Sequence, residues 1–306
     1  MIRTALQPIR LAPNPIHRFY RGGERIARFR GIPLHDDHAP EDWVGSTTTV
    51  HGEATTGLSV LEDGRLLRDA VAADPEGFLG PEHVARHGAD TMLLVKLLDA
   101  GERLPVHYHP DDSFARGHGF AHGKTEAWLI VEADPDAVVW LGFREDVDAE
   151  ALHGRLDGET LLPALNELPV APGDLIFVPA GVPHAIGEGI LMVELQQPSD
   201  LSVLLEWSAF GLDAAEALAI DPDFESAELG AFRSGEPSDR FFRAQRVGSG
   251  ALEPGFSVLV VLDGRGRLGS LELARGDTVL VPYAAGAVEL EGELDAVRCL
   301  PPAGGA

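Results

Sequence analysis

One cysteine, three methionines and three tyrosines are all that this chain of 306 residues contains of those types. The lone thiol, Cys299, cannot close an intrachain disulfide, so the fold does not rely on that staple. The usage fits a reducing, cytoplasmic setting, and Cys299 reads as a structural thiol rather than a nucleophile. Basic residues are scarce: 24 Lys and Arg stand against 49 Asp and Glu, a formal net charge of -25. Such a field repels phosphate backbones, so neither nucleic acid nor an anionic membrane surface is expected as a partner. A small anionic substrate is not excluded, because one local Lys or Arg reverses the field inside a pocket. Apolar runs are strand-length and never approach a membrane span. The amino-terminal MIRTALQPIRLAPNPIHRFY has no apolar core with a small-residue cleavage site after it, so no signal peptide is expected.

What is present is a succession of short apolar runs broken by Gly, Pro and Asp. The first forty residues read as irregular structure with short strands. Leu58–Leu61 and Met92–Leu98 are strand candidates, and Leu66–Ala73 and Glu82–His87 carry a helical signal. AWLIVEA and AVVWLGF are the clearest strands, separated by Asp134–Pro135–Asp136. Asp146–Leu152 reads as a short helix, residues 170–207 as a series of strands, and the acidic stretch after Trp207 as helix and connector. From Phe241 the pattern is again strand and turn. Many short strands with Gly-rich turns predict a mainly β double-sheet jelly roll. A local repeat supports two related units: Gly173-Asp174-Leu-Ile-Phe-Val-Pro179 matches Gly276-Asp277-Thr-Val-Leu-Val-Pro282. The second copy has no histidine, since His184 is the last in the chain.

The chemistry concentrates in the first unit. His107 and His109, in GERLPVHYHPDD, share an i, i+2 spacing that puts both imidazoles on one strand face. Glu126 follows in GKTEAWLIV and His184 in GDLIFVPAGVPHAIG. Three imidazoles and a carboxylate form a closed set for one divalent ion, with Zn, Fe, Mn and Ni all open. His118 and His122, in the inserted loop RGHGFAHGK, compete as metal or substrate contacts. His35 and His38, in LHDDHAPEDW, make a second acidic candidate. Asp111 and Asp112 either orient an imidazole or cap the turn after Pro110.

The spacings Gly101-x5-His107-x-His109 and Gly173-x5-Pro179-x-Gly181-x2-His184 resemble the two halves of the cupin signature, with a wide gap of seventeen positions from His109 to Glu126. More narrowly, LPVHYHPDD, HGKTEAWLIVE and PAGVPHAIGEGILMVELQQPSD resemble type I mannose-6-phosphate isomerases, as do PEDWVGSTTTV upstream and GDTVLVPY in the tail. The resemblance implies one zinc, held in that family by Gln, His, Glu and His; the matching positions are His107, His109, Glu126 and His184. His107 thus stands where the family has an amide, which leaves Fe2+ and Mn2+ open beside Zn2+. Lys124 matches the family's phosphate-linked lysine, whereas Pro105 stands at the place of a phosphate-contacting serine and Leu204 at that of an active-site arginine.

The resemblance further implies a cupin fold, bicupin-like with helical insertions and a metal-free carboxy-terminal barrel. The expected organisation is a catalytic domain over 1–210, a connector over 211–237 and a degenerate cupin region over 238–306. The expected activity is metal-dependent aldose–ketose isomerisation of a sugar or sugar phosphate in carbohydrate metabolism. Glu194 is the candidate for proton handling with Lys124, and Lys124, Gln196 and Asp200 are the candidates for binding substrate. Two other readings remain: a different metal-dependent cupin enzyme, such as an iron dioxygenase, and a non-catalytic sugar-binding cupin. A homo-oligomer is left open.

Overall fold

A computed structural model describes residues 6–147, 158–206, 227, 232 and 240–303. In chain order the first strands are β1 (Ile9–Arg10), β2 (Pro15–Ile16), β3 (Glu41–Val44), β4 (Leu94–Ala100), β5 (His107–Tyr108) and β6 (Glu126–Ala133). Next come β7 (Val138–Phe143), β8 (Leu165–Pro169), β9 (Leu175–Val178), β10 (His184–Ile186), β11 (Ile190–Gln196) and β12 (Val203–Leu204). The carboxy-terminal strands are β13 (Arg243–Val247), β14 (Gly250–Leu252), β15 (Ser257–Leu268), β16 (Leu271–Ala274), β17 (Thr278–Val281) and β18 (Val288–Leu300). The longer helices are α1 (Glu24–Arg30), α2 (Leu67–Ala73), α3 (Pro75–Leu79), α4 (Pro81–His87) and α5 (Asp112–Gly117).

The strands form three antiparallel sheets. One runs β12-β5-β10-β7-β8, a second β2-β3-β4-β11-β6-β9, and a third β1-β17-β15-β18-β13, with β14 beside β18 and β16 beside β15. The second sheet is the middle layer, and the period of two in its strands shows why. Val95, Leu97, Ala127, Leu129, Val193 and Leu195 pack with Val258, Leu280 and Val297 of the third sheet. Their neighbours Leu98, Trp128, Ile130 and Met192 pack instead with Val139, Leu141 and Ile186 of the first sheet. A sheet buried on both faces needs unbroken apolar runs such as LLVKLLDA, and a charge within such a run must find a partner.

The expectation of closed jelly-roll barrels is overturned. Each sheet is open, ending on two different edge strands, and short helices join them in a mixed α/β fold. The carboxy-terminal unit is likewise an open sheet, and it takes β1 from the opposite end of the chain. Alternation and turn chemistry specify which neighbours pair as hairpins; they do not specify whether the outermost strands meet. Local differences have local causes. Residues 24–30 form α1, bounded by Gly23 and by Gly31 at φ 66, within a stretch read as irregular. Leu58–Leu61 contributes only an isolated bridge, Val60 to Leu66. The helix expected at Asp146–Leu152 and the connector expected over 211–237 lie largely outside the described residues.

The repeated GD-x4-P segments adopt the same turn. Gly173 has φ 96 and Gly276 φ 87. Asp174 accepts from Ala171 N at 2.9 Å, and Asp277 from Ala274 N at 2.8 Å. The turns lead into β9 and β17. Cys299 is buried in the core between the second and third sheets, and burial pushes its thiol well above the ordinary range. Among the described residues no helix is long and apolar enough to cross a membrane.

Candidate metal centre

The first and second sheets face each other across a buried cluster of imidazoles. His107 on β5 and His184 on β10 are direct antiparallel partners, which sets their ring centroids 4.1 Å apart. His109 follows β5, with its ring 5.0 Å from His107 and 4.9 Å from His184. Each ring is oriented by a backbone carbonyl. His107 Nδ1 donates to Pro105 O at 2.8 Å, His109 Nδ1 to Leu201 O at 3.0 Å and His184 Nδ1 to Val182 O at 2.8 Å. With the proton on Nδ1, each Nε2 keeps its lone pair for the centre.

Burial keeps the rings neutral. Desolvation, reinforced by the neighbouring rings, holds His107 well below its ordinary value. Desolvation and the Lys124 charge bring His109 down to about 3, and desolvation lowers His184. His184 Nε2 is buried without a hydrogen-bond partner. One nitrogen from each of the three rings lies within 4.8 Å of the others. Three neutral, inward-facing imidazoles with an orphaned buried nitrogen fit a divalent ion.

Charged residues on the middle sheet, with Lys124 just ahead of β6, close the cluster. Glu126, the first residue of β6, places Oε2 3.2 Å from His109 Nε2 and Oε1 3.4 Å from His184 Nε2. Trp128 Nε1 donates to Glu126 Oε1 at 3.0 Å. Lys124 Nζ lies 2.8 Å from Glu126 Oε2, 2.8 Å from His109 Nε2 and 3.4 Å from Glu194 Oε1. Burial works against both charges of this pair, yet the pair prevails: Lys124 is raised and Glu126 held well below the carboxylate range. Glu194, on β11, pairs across the ladder with Lys96 and Trp128. Desolvation pushes its carboxyl up to about 7, against the pull of Lys96 and Lys124.

A cavity of about 360 Å³ opens beside the imidazoles, and His107, Lys124, Glu126, Glu194, Asp200 and Leu204 all line it. Gln196 is not at its wall; that amide donates to the carbonyls of Gln197 and Ser199. Asp111 caps α5 by accepting from Phe114 N at 2.8 Å. Asp112 accepts from Gly123 N at 2.9 Å and Gln197 Nε2 at 2.8 Å, anchoring the inserted loop. Neither carboxylate orients an imidazole. His118 bonds to Phe114 O, and His122 to Asp90 at 2.7 Å, so both are engaged away from the cluster. His38 groups with Asp36 and Asp37 at the surface as a second, separate cluster.

Arg18, Tyr20, Glu41 and Lys96, none of them singled out by the sequence motifs, also line the cavity. Glu41 accepts from Arg18 at 2.9 and 3.1 Å, from Tyr20 Oη at 2.6 Å and from Trp43 Nε1 at 2.7 Å. Lys96 Nζ lies 3.4 Å from Glu41 and 3.8 Å from Glu194. The available signal for Lys96 was a lysine in the middle of an apolar strand.

Two facing open sheets that bury a triad of neutral histidines beside a cavity make a site fit to hold a metal ion. The comparisons narrow this. No family model matches the chain. The mannose-6-phosphate isomerase of Streptococcus mutans is 27% identical over 93% of this chain and 95% of its own length. That of Bacillus subtilis is 29% identical over 67% of this chain and 73% of its own. Among solved structures, the mannose 6-phosphate isomerase of Bacillus subtilis superposes with a TM-score of 0.71 at 21% identity, over 96% of this chain and 99% of that one. The apo form from Salmonella typhimurium gives 0.74 at 17% identity, over 97% and 100%. These structural likenesses speak to the fold. Along nearly its whole length the chain is similar to mannose-6-phosphate isomerases.

Proposed function

We propose that this chain is a metal-dependent aldose–ketose isomerase, with His107, His109, His184 and Glu126 as ligands of the ion. The observation that carries this reading is the convergence of three neutral imidazoles on one wall of a cavity that also presents Glu194 and Lys124. Relatives named mannose-6-phosphate isomerases favour the same reaction, with mannose and fructose or their 6-phosphates as the substrate pair to try first. Zinc is the proposed ion, because a nitrogen-rich set with one carboxylate suits it; Fe2+ and Mn2+ are accommodated by the same donors.

Held by His107, His109, His184 and Glu126, a divalent ion would supply polarisation of the substrate carbonyl. The protein supplies the rest. Glu194 takes the proton from C2 of the aldose and returns it to C1, while the hydroxyl proton of O2 passes to O1, so that aldose becomes ketose through an enediol with no net gain or loss of protons. Lys124 balances the negative charge that develops on the sugar oxygen during this transfer. Lys96 and Glu126 flank Glu194 and fix its position. The buried thiol of Cys299 is in keeping with a cytoplasmic enzyme.

Zinc-loaded protein should interconvert an aldose and its ketose and exchange the C2 proton with solvent deuterium. His109→Ala should abolish zinc binding and turnover together. Glu194→Gln should bind zinc normally and lose turnover by about 10²–10⁴-fold. Zinc-loaded protein that binds sugar but neither exchanges the proton nor isomerises any aldose would refute the reading.

A further inference from the structure

The isomerase reading leaves the charge of the sugar open, and the cavity wall bears on it. Three cations line the cavity: Arg18, Lys96 and Lys124. Four carboxylates line it too: Glu41, Glu126, Glu194 and Asp200. Arg18 is gripped on two edges. Its Nε and Nη2 donate to Glu41 at 2.9 and 3.1 Å, and Nη1 and Nη2 donate to Asp200 at 3.2 and 2.7 Å. A guanidinium has five N–H groups, so these four bonds leave one. Asp200 is occupied further by His51 N at 3.1 Å. Lys96 lies between Glu41 and Glu194, and Lys124 between Glu126 and Glu194.

A phosphate ester carries close to two negative charges at neutral pH and is held by cations with free donors or by clustered backbone N–H groups. Every lining cation already has carboxylate partners. A phosphate would have to break these pairs or lie against carboxylates; an ion that takes Glu126 leaves Lys124 with Glu194, 3.4 Å away, and releases none of the Arg18 donors. The rest of the wall mixes uncharged polar groups, among them Tyr20, bonded to Glu41, and Ser202, 3.2 Å from His109, with the ring of His51 and an apolar face of Leu104, Ile186, Leu201 and Phe120. Carboxylates that accept from hydroxyls, one spare guanidinium N–H and apolar faces for C–H groups are what an uncharged sugar requires.

We propose that this site takes an unphosphorylated monosaccharide, with Arg18, clamped between Glu41 and Asp200, as the fixed edge that reads its hydroxyls. The proposal rests on the isomerase reading for its reaction, and on the wall alone for the charge of its ligand.

Calorimetric titration of the full chain, with and without zinc, tests it. D-mannose and D-fructose should bind, their 6-phosphates should bind at least about tenfold more weakly, and millimolar inorganic phosphate should not displace the free sugar. Leu204→Arg adds an uncommitted guanidinium at the wall and should raise affinity for the 6-phosphates by about tenfold, the scale of one charge-assisted bond. Tighter binding of the 6-phosphates than of the free sugars to the unaltered chain, or no binding of free sugar at all, overturns the proposal. Turnover of the 6-phosphates alone also overturns it while the isomerase reading stands. Free sugar that binds in preference to its phosphate but is never isomerised upholds the proposal and sinks the isomerase reading.

Discussion

Lys124→Met separates the role of the lysine charge from that of the metal. Lys124 Nζ sits 2.8 Å from both His109 Nε2 and Glu126 Oε2, two atoms proposed to bind the ion. Methionine keeps most of the stem and removes the charge. With an effective dielectric of about 20, opposite unit charges 2.8 Å apart attract by about 6 kcal/mol. Desolvation of the ammonium offsets part of this, and removing one partner of a buried pair costs about 3–5 kcal/mol. The metal-free variant should therefore unfold about 8 °C lower, at about 2 °C per kcal/mol for a chain of this size. Zinc reverses the balance. It brings positive charge back to Glu126, and it no longer competes with an ammonium for His109. Wild-type protein gains about 2.7 kcal/mol at a zinc concentration of 100 Kd, and the variant should gain more at that same concentration. Thermal unfolding of both proteins with and without zinc closes a thermodynamic cycle. If zinc stabilises the variant no more than the wild type, Lys124 and the ion do not share these atoms, and the assignment of Glu126 and His109 as ligands fails.

Trp128→Phe keeps the ring and removes the N–H that donates to Glu126 Oε1 at 3.0 Å; it should weaken zinc binding by about 10–100-fold in a chelator competition, with the fold intact by circular dichroism. His122→Asn removes the bond to Asp90, which raises the imidazole's proton affinity while Asp90 is lowered. A raised histidine contributes fully below its unfolded value of about 6.5 and loses that contribution as pH rises through the folded value. Urea midpoints of wild type and variant should therefore differ most near about pH 5.5 and converge by about pH 9. Gly276→Ala should cost about 1–3 kcal/mol in urea unfolding, because φ is +87° and an added Cβ would meet Phe29 O at 2.0 Å.

The His107–His109 pair was legible because its geometry is local: an i, i+2 spacing on a strand defines one face. His184, far along the chain, was legible only through its place in a cupin-like spacing, and its direct pairing with His107 is a long-range contact that no local signal announces. The apolar runs of β4, β6 and β11, like the pair, were legible as strands from local pattern. Sheet closure was not, since hairpin signals stay silent about distant edges. Arg18 was invisible for a different reason. It lies outside any strand, and its partners are 23 and 182 residues away along the chain. Lys96 was the missed opportunity: a charge in an apolar strand buried on both faces requires a partner, and Glu41 and Glu194 both lie within 4 Å of it. Asp111 and Asp112 show the converse, with carboxylates close behind His109 in the chain that serve a helix cap and a loop anchor.

The pairing of Ile9 with Leu280 sets an order on synthesis. The ribosome releases the segment carrying Arg18 early, yet the strand just ahead of it has no neighbour until β17 is made, some 270 residues later. Folding in step with translation can therefore shape the histidine-bearing sheets first and must leave the leading strand undocked until the end. Such long-range closure slows folding. A nascent chain halted before β17 should accordingly hold its amino-terminal strand open to protease, while a finished chain should not.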